Sequence, residues 1–460
     1  MAKPIVYYGS LINPTTLTSY EASPNCLIAV SSQGNIDWIV HDVIDSLVQE
    51  TLLQKGSLDA EVTVLHPGQF LMPGFIDTHT HAPQAPNLGT GYQYELLDWL
   101  EKFTFPMESK FKDVYPSIVE KFIAFGTTTC CYYGTLHLDS NKVLADIKCN
   151  MDRHCPDYYI EESSKVSVAN TEAFIAYVRS LPFGPSGVPL VYPVLTPRFA
   201  ISCTRPLLSS LGNLAASDHN LHIQTHISEN TKEVENTKKL FPECSTYAGV
   251  YDSFGLLRHN TILAHAVHLE EQEIDLVKQR KAGISHCPTS NFNLRSGVAP
   301  IGKFLDRGVK VGLGTDVSGG FSPSMLVAMR NASIASTVVA LQNNPTTSSS
   351  SSEEEGKFTN RQLSLATLLY LATLGGAEVC AMDHQIGSFA PGKSFDALIV
   401  DVRDRTQNVG LWGISDLGVN SSTSGKDALE EMLGRFVFCG DDRNISAVFV
   451  QGKLIGGTSR

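Results

Sequence analysis

The run Phe75-Ile76-Asp77-Thr78-His79-Thr80-His81 closes an apolar stretch with two imidazoles set two residues apart. In an extended strand alternate side chains share a face, so His79 and His81 project together. Two neutral imidazoles on one face at a strand's end can hold a divalent ion; a hydrogen-bonded interior pair is the bland alternative. Three further runs end the same way. Leu221–His226 ends in His226, with Glu229 three residues on; Thr261–His265 ends in His265; Val309–Thr315 leads straight into Asp316. His79, His81, His226 and Asp316 supply three imidazoles and a carboxylate, which suits one zinc or ferrous ion with a position left for water. Such an ion brings the pKa of water from about 15.7 towards about 7. Glu229 is then free to shuttle protons, and His265 to polarise or orient the water.

These residues serve one site only if the strands that carry them converge. From Leu71 onward short apolar runs alternate with longer helix-period segments: Phe75–His81, Gly126–Tyr133, Pro189–Leu195, Leu221–His226, Thr261–His265, Gly283–Cys287 and Val309–Thr315. Strand–helix alternation predicts parallel βα units, and about eight of them close a barrel whose site lies at the C-terminal strand ends. The first seventy residues read differently. Short β-like runs at Ile5–Tyr8, Cys26–Ser31, Ile36–Val40 and Val62–Leu65 surround a helical stretch at Ile44–Gln54. After an apolar helical stretch at Leu363–Cys380, strand-like runs return at Ile386–Asp401 and Ala447–Ile455. The expected fold is therefore α/β: a (β/α)8 TIM-like barrel over 73–384, and a small β-sandwich made discontinuously from 1–72 and 385–460. Thr346–Gly356 (TTSSSSSEEEG) is too polar to bury a core and predicts a mobile insertion.

Composition narrows the partners. With 42% hydrophobic residues the chain has ample core material, and its net charge of −12 disfavours phosphate backbones and anionic membranes. A neutral or cationic small molecule is the expected substrate. No run of eighteen apolar residues occurs and the N-terminus lacks a signal-peptide pattern, so neither a membrane span nor secretion is expected. Ten scattered cysteines fit buried thiols in a reducing compartment, by default the cytoplasm. There is no Pro-Cys-x-x-Cys, so that paired-cysteine zinc signature is absent. Gly312 and Gly314 lack the partners of a phosphate loop and read as room for the backbone around Asp316. His286-Cys287-Pro288 lines the pocket or is structural.

The order His-x-His, His with a nearby Glu, His, then Asp resembles the amidohydrolase superfamily. The likeness tightens to the guanine deaminase family through LMPGFIDTHTHAPQ, LLDWLEKFTFPMESKF, LTPRFAISC, IQTHISENTKEVE, ISHCPTSNFNLRSG and GLGTDVSGG. The resemblance implies His79, His81, His226 and Asp316 as ligands of one zinc or ferrous ion. Glu229, His265 and Asp316 become the catalytic groups. It further implies that Gln84, Arg198 and Phe199, with His226, Glu229 and Asp316, hold a purine. A guanidinium donates to a ring carbonyl, an amide pairs with ring nitrogens and a phenyl ring stacks. The implied reaction is hydrolytic deamination of guanine to xanthine and ammonia by a homodimeric enzyme. Two-metal relatives carry a carboxylated lysine on the fourth barrel strand; Val188–Phe199 contains none, so a single ion is expected. Two alternatives remain: a related enzyme acting on another cyclic amidine such as cytosine or a chlorinated triazine, and a scaffold that has lost its metal. The connection from the helix near Asn141–Ile147 into Lys148-Cys149-Asn150 is too short for a full helix–turn–strand step, which predicts a defect in the third barrel strand.

Overall fold

The computed structural model describes residues 3–110, 115–144, 148–343, 357–414 and 425–458. The expected insertion at 346–356 and residues 145–147 of the short connection lie outside them. The N-terminal strands are β1 (Ile5–Thr16), β2 (Ser19–Val30), β3 (Ile36–Val40), β4 (Glu61–Val64) and β5 (Gln69–Pro73). β1 and β2 form a long antiparallel hairpin, Ile5 opposite Val30 and Thr16 opposite Ser19. The barrel strands are β6 (Phe75–His81), β7 (Thr127–Tyr133), β8 (Cys149–Asn150) and β9 (Val194–Pro197), then β10 (His222–Ile227), β11 (Thr261–His265), β12 (Gly283–His286) and β13 (Lys310–Leu313). Three more follow near the C-terminus: β14 (Ala397–Asp401), β15 (Ile445–Val450) and β16 (Lys453–Gly456).

The two chain ends build one mixed sheet in the order β16-β15-β14-β5-β1-β2-β3, with β4 beside β1. One of its faces gathers Tyr7, Phe395 and Phe449, with Tyr7 and Phe395 stacked at 5.1 Å between ring centroids. β5 pairs with β14 and leads through Gly74 into β6, so this sheet anchors the strand that carries His79 and His81.

The barrel strands are parallel and form two hydrogen-bonded groups, β6-β7 and β8 through β13. Helices cover their outer faces, so strands such as β6 are buried throughout. The groups meet on both sides. Thr78 Oγ1 donates to the Leu313 carbonyl at 2.9 Å, and the Asp316 N–H donates to the His79 carbonyl at 2.9 Å. On the other side the Cys149 N–H donates to the Thr135 carbonyl at 3.1 Å. The helix Met325–Asn343 is long and apolar enough to cross a bilayer, yet Leu326, Met329 and Ala332 on it are buried in the main core.

Several boundaries move for identifiable reasons. The run expected at Pro189–Leu195 yields a strand only at Val194–Pro197, because Pro189 and Pro193 lack ladder donors. The C-terminal run begins its strand at Ala397 rather than Ile386, since Gly387 and Gly392, both at φ 88°, turn the chain first. The stretch Leu363–Cys380 divides into helices Leu365–Ala372 and Leu374–Val379 around Thr373. The third barrel strand is short: its described part pairs only Cys149 with Thr196 and Asn150 with Pro197. Lys148 before it is buried and ion-paired with Glu161, which also accepts from Ser167. Towards the N-terminal ends of β7, β9 and β10 lies a cavity of about 480 Å3, lined by Thr127, Cys131, Val194, His222, Ile262 and Asp396.

Burial pushes the carboxyl of Asp396 up to about 7, against a 2.7 Å hydrogen bond from the Gln451 N–H. A carboxyl raised on folding holds its proton more tightly in the folded chain, so stability falls as pH rises from about 4 to about 7 and then levels. Asp396→Asn keeps an acceptor for Gln451 and abolishes the charge. It should raise the melting temperature at pH 8, a gain of roughly 2–4 kcal/mol that is nearly lost at pH 4. Melting curves at the two pH values check this; an equal gain at both would place the effect elsewhere.

Candidate active site

The C-terminal ends of β6, β10, β11 and the segment after β13 meet around one point. His79 Nε2 lies 3.2 Å from Asp316 Oδ1, and His81 Nε2 lies 3.4 Å from the same oxygen. His81 Nε2 and His226 Nε2 are 3.2 Å apart. One nitrogen each from His79, His81 and His226 falls within a 4.8 Å span. The local causes are plain. Period-two alternation turns His79 and His81 inward together. In the register of β10 with β11, His226 stands opposite Ala264 and Ile227 opposite His265. Asp316 reaches the group because Gly314 lets its strand approach closely: a Cβ there would lie 2.7 Å from Ser285 Oγ and 2.9 Å from His79 Cβ. His265 and Asp316 hold φ of 75° and 46°, left-handed values that cost a side-chain-bearing residue about 1 kcal/mol or more.

The electrostatics favour a metal. His79, His81 and His226 are buried, and burial lowers all three imidazoles below their ordinary range. For His81 and His226 neighbouring histidines and the Arg198 charge add to the fall, whereas Asp316 partly offsets it at His79. Neutral imidazoles keep a lone pair for a cation. His226 Nδ1 donates to the Arg198 carbonyl at 2.6 Å, which leaves its Nε2 as the free lone pair. His79 Nε2 makes no aligned hydrogen bond although it lies 3.2 Å from Asp316 Oδ1, and Nδ1 of His79 and of His81 are likewise buried without one. Buried polar atoms are rarely left so. A cation seated among these donors removes the anomaly at the nitrogens that face it, so the residues present fit a metal ion.

Glu229 and His265 stand beside this group. His265 Nε2 lies 3.4 Å from Glu229 Oε2 and 3.8 Å from Asp316 Oδ2, while its Nδ1 is bonded to Asn291 Oδ1 at 2.9 Å. Burial pushes the Glu229 carboxyl well above the usual carboxylate range, and the charges of Asp316 and Glu233 push it further. Glu233 is itself buried and accepts from the Glu229 N–H at 2.8 Å and the Tyr247 hydroxyl at 2.6 Å, which fixes the loop carrying Glu229.

The pocket in front of these groups is lined by Gln84, Trp99, Leu100, Arg198, Phe199 and Leu294. Of the site residues expected from the sequence, His81, Gln84, Arg198, Phe199, His226, Glu229, His265 and Asp316 line this one cavity, and His79 stands behind its wall against Asp316; His286 and Cys287 do not line it. Sequence reasoning missed Glu108, at the end of the helix Phe105–Glu108. It has no solvent exposure, and its two oxygens accept from Arg198 at 2.8 and 3.0 Å, from Gln84 Nε2 at 2.7 Å and from the Tyr159 hydroxyl at 2.6 Å. Burial alone would lower the Arg198 guanidinium; the Glu108 carboxylate beside it raises it above its ordinary value instead. The only hint in the sequence was an acidic residue inside a largely apolar run, Phe103-Thr104-Phe105-Pro106-Met107-Glu108.

The model of the amidohydrolase family matches residues 70–455. A probable guanine deaminase of Schizosaccharomyces pombe is 44% identical over 98% of this chain and 83% of its own length. The guanine deaminase of Dictyostelium discoideum is 38% identical over 98% of both chains. The chain belongs to the guanine deaminases of the amidohydrolase family. Among solved structures, the guanine deaminase of C. acetobutylicum, crystallised with guanine bound in its active site, superposes with a TM-score of 0.83. The two are 31% identical over 99% of this chain and 100% of the other. In this guanine deaminase family member His79, His81, His226 and Asp316 come together at the barrel mouth, beside a pocket that pairs Arg198 and Gln84 with aromatic walls.

Proposed function

We propose that this chain hydrolyses guanine to xanthine and ammonia. The observation that carries this reading is the meeting of two groups in one buried cavity: the His79–His81–His226–Asp316 donor set and the Gln84–Arg198–Phe199 wall. The family relatives supply the base, and guanine bound in the C. acetobutylicum structure supplies the precedent for where it sits.

His79, His81, His226 and Asp316 would hold one ion, which we assign as zinc because neutral nitrogen donors outnumber the carboxylate. When bound, it supplies the Lewis acidity that makes water a nucleophile near neutral pH. The chain's own residues do the rest. Arg198 donates to the ring carbonyl and Gln84 pairs with the adjoining ring nitrogen, while Phe199 and Trp99 wall the base and exclude bulk water. Glu229 takes the water's proton and delivers it to the ring nitrogen beside C2. A raised carboxyl suits both halves of that transfer. His265, between Glu229 and Asp316, orients the water and steadies the tetrahedral centre. The remaining proton of the added hydroxyl then passes to the exocyclic nitrogen, so that the C2 carbonyl forms as the C–N bond breaks and ammonia leaves. The family likeness further supports a homodimer, and ten cysteines scattered without a disulfide spacing suit a cytoplasmic setting.

The test is ammonia and xanthine release from guanine, with metal content measured on the same sample. Turnover should vanish on chelation and return with zinc. Well-folded, metal-loaded protein that leaves guanine untouched would overturn the assignment in favour of another cyclic amidine.

A further inference from the structure

We infer that Glu108 is the residue that sets base specificity, by fixing Gln84 as an acceptor and Arg198 as a donor towards the substrate. This rests on the proposed deamination of guanine and goes beyond it. A carboxylate offers about four lone-pair sites and no donor. At Glu108 all four are engaged: Oε1 by Gln84 Nε2 and one Arg198 nitrogen, Oε2 by the Tyr159 hydroxyl and the other Arg198 nitrogen. Glu108 therefore has nothing left to offer a substrate. It is a positioning residue, acting through the groups around it.

What it positions is polarity. An amide side chain can present either its oxygen or its NH2, and the two faces are nearly isosteric. Because Glu108 accepts only, the Gln84 NH2 must point at it, and Gln84 Oε1 turns the other way. There it takes a weak bond from the Ser318 N–H at 3.4 Å and keeps a lone pair for the pocket. The guanidinium, held end-on by both carboxylate oxygens, is fixed in one plane with its remaining N–H groups free to donate. The pocket consequently shows one acceptor and one donor. A lactam edge, N–H beside C=O, matches that pair. The edge of 2,6-diaminopurine, a ring nitrogen beside an amino group, meets it donor to donor and acceptor to acceptor, although its amine at C2 is the same leaving group. Buried polar groups left without partners make such mismatches costly, and sites of this kind discriminate by about 10^4-fold or more.

Glu108→Gln puts a donor where only acceptors stood, so it frees Gln84 to turn over and breaks the end-on hold on Arg198. Steady-state kinetics on guanine and on 2,6-diaminopurine, with metal content on each preparation, test the assignment. The wild-type protein should favour guanine strongly. In Glu108→Gln the KM for guanine should rise by about 10- to 100-fold with a smaller change in kcat. Metal content should hold, and the preference should narrow by at least about tenfold. Glu108→Asp, still acceptor-only, should lose rate yet retain the preference. It also serves if Glu108→Gln folds poorly, since an Asp variant that loses the preference while staying folded and metal-loaded would overturn the assignment. So would a Glu108→Gln preparation in which both substrates fall in parallel. Wild-type protein inactive on guanine would instead sink the underlying substrate reading, so the two failures are told apart.

Discussion

Replacing His79 with Ala should empty the site of metal and lower kcat/KM for guanine by at least about 10^4-fold, because unassisted water has a pKa near 15.7 rather than near 7. His79 is the hub of the donor set. Its ring centroid lies 5.0 Å from that of His81, 4.8 Å from His226 and 5.3 Å from His265, and its Nε2 faces Asp316. Removing it leaves Asp316 buried with a poorer set of partners, so a lower melting temperature is expected alongside the metal loss. Atomic absorption on purified protein, read together with xanthine release, checks both parts. A His79→Ala protein that keeps one ion per chain would show that the remaining groups suffice, and the ligand assignment would fall.

Replacing Glu229 with Gln separates proton transfer from metal binding. The amide keeps the shape and the contact with Ser296, 3.4 Å away, but cannot carry a proton between water and base. kcat should fall by about 10^2- to 10^4-fold, the range for loss of a positioned general acid–base, while metal content and KM change little. Glu229 is buried between the charges of Asp316 and Glu233, so losing its own charge should also stabilise the fold slightly. If Glu229→Gln loses its metal, the residue belongs to the ligand set, and a different group must move the proton.

The site was largely readable because its signals are local. β6 spans Phe75–His81 and β11 Thr261–His265, with the bounds expected from the sequence, since an apolar run that stops at an imidazole marks a buried strand reaching a polar mouth. The N- and C-terminal strands were legible in the same way, although the order that places β5 between β14 and β1 was not. Elements failed to follow the hydrophobic pattern where backbone chemistry overrode it, as with Pro189 and Pro193 before β9. The short third strand was visible as a connection too brief for its task, and Lys148, buried against Glu161, marks where the described chain re-enters the barrel wall.

By itself the sequence determined which residue types stand at strand ends, and that His79 and His81 share a face, because side-chain alternation depends only on neighbours along the strand. It also determined that the set is rich in neutral nitrogen donors. Only the tertiary structure decided that His226, 145 positions from His81, comes within 3.2 Å of it. The same holds for Glu108, which lies 90 positions from Arg198 and is nonetheless its buried partner. Burial, hydrogen-bond partners and the pKa shifts they cause are properties of barrel closure. A carboxylate in a helix is a surface group until the fold removes its water, and no spacing in the chain records that event.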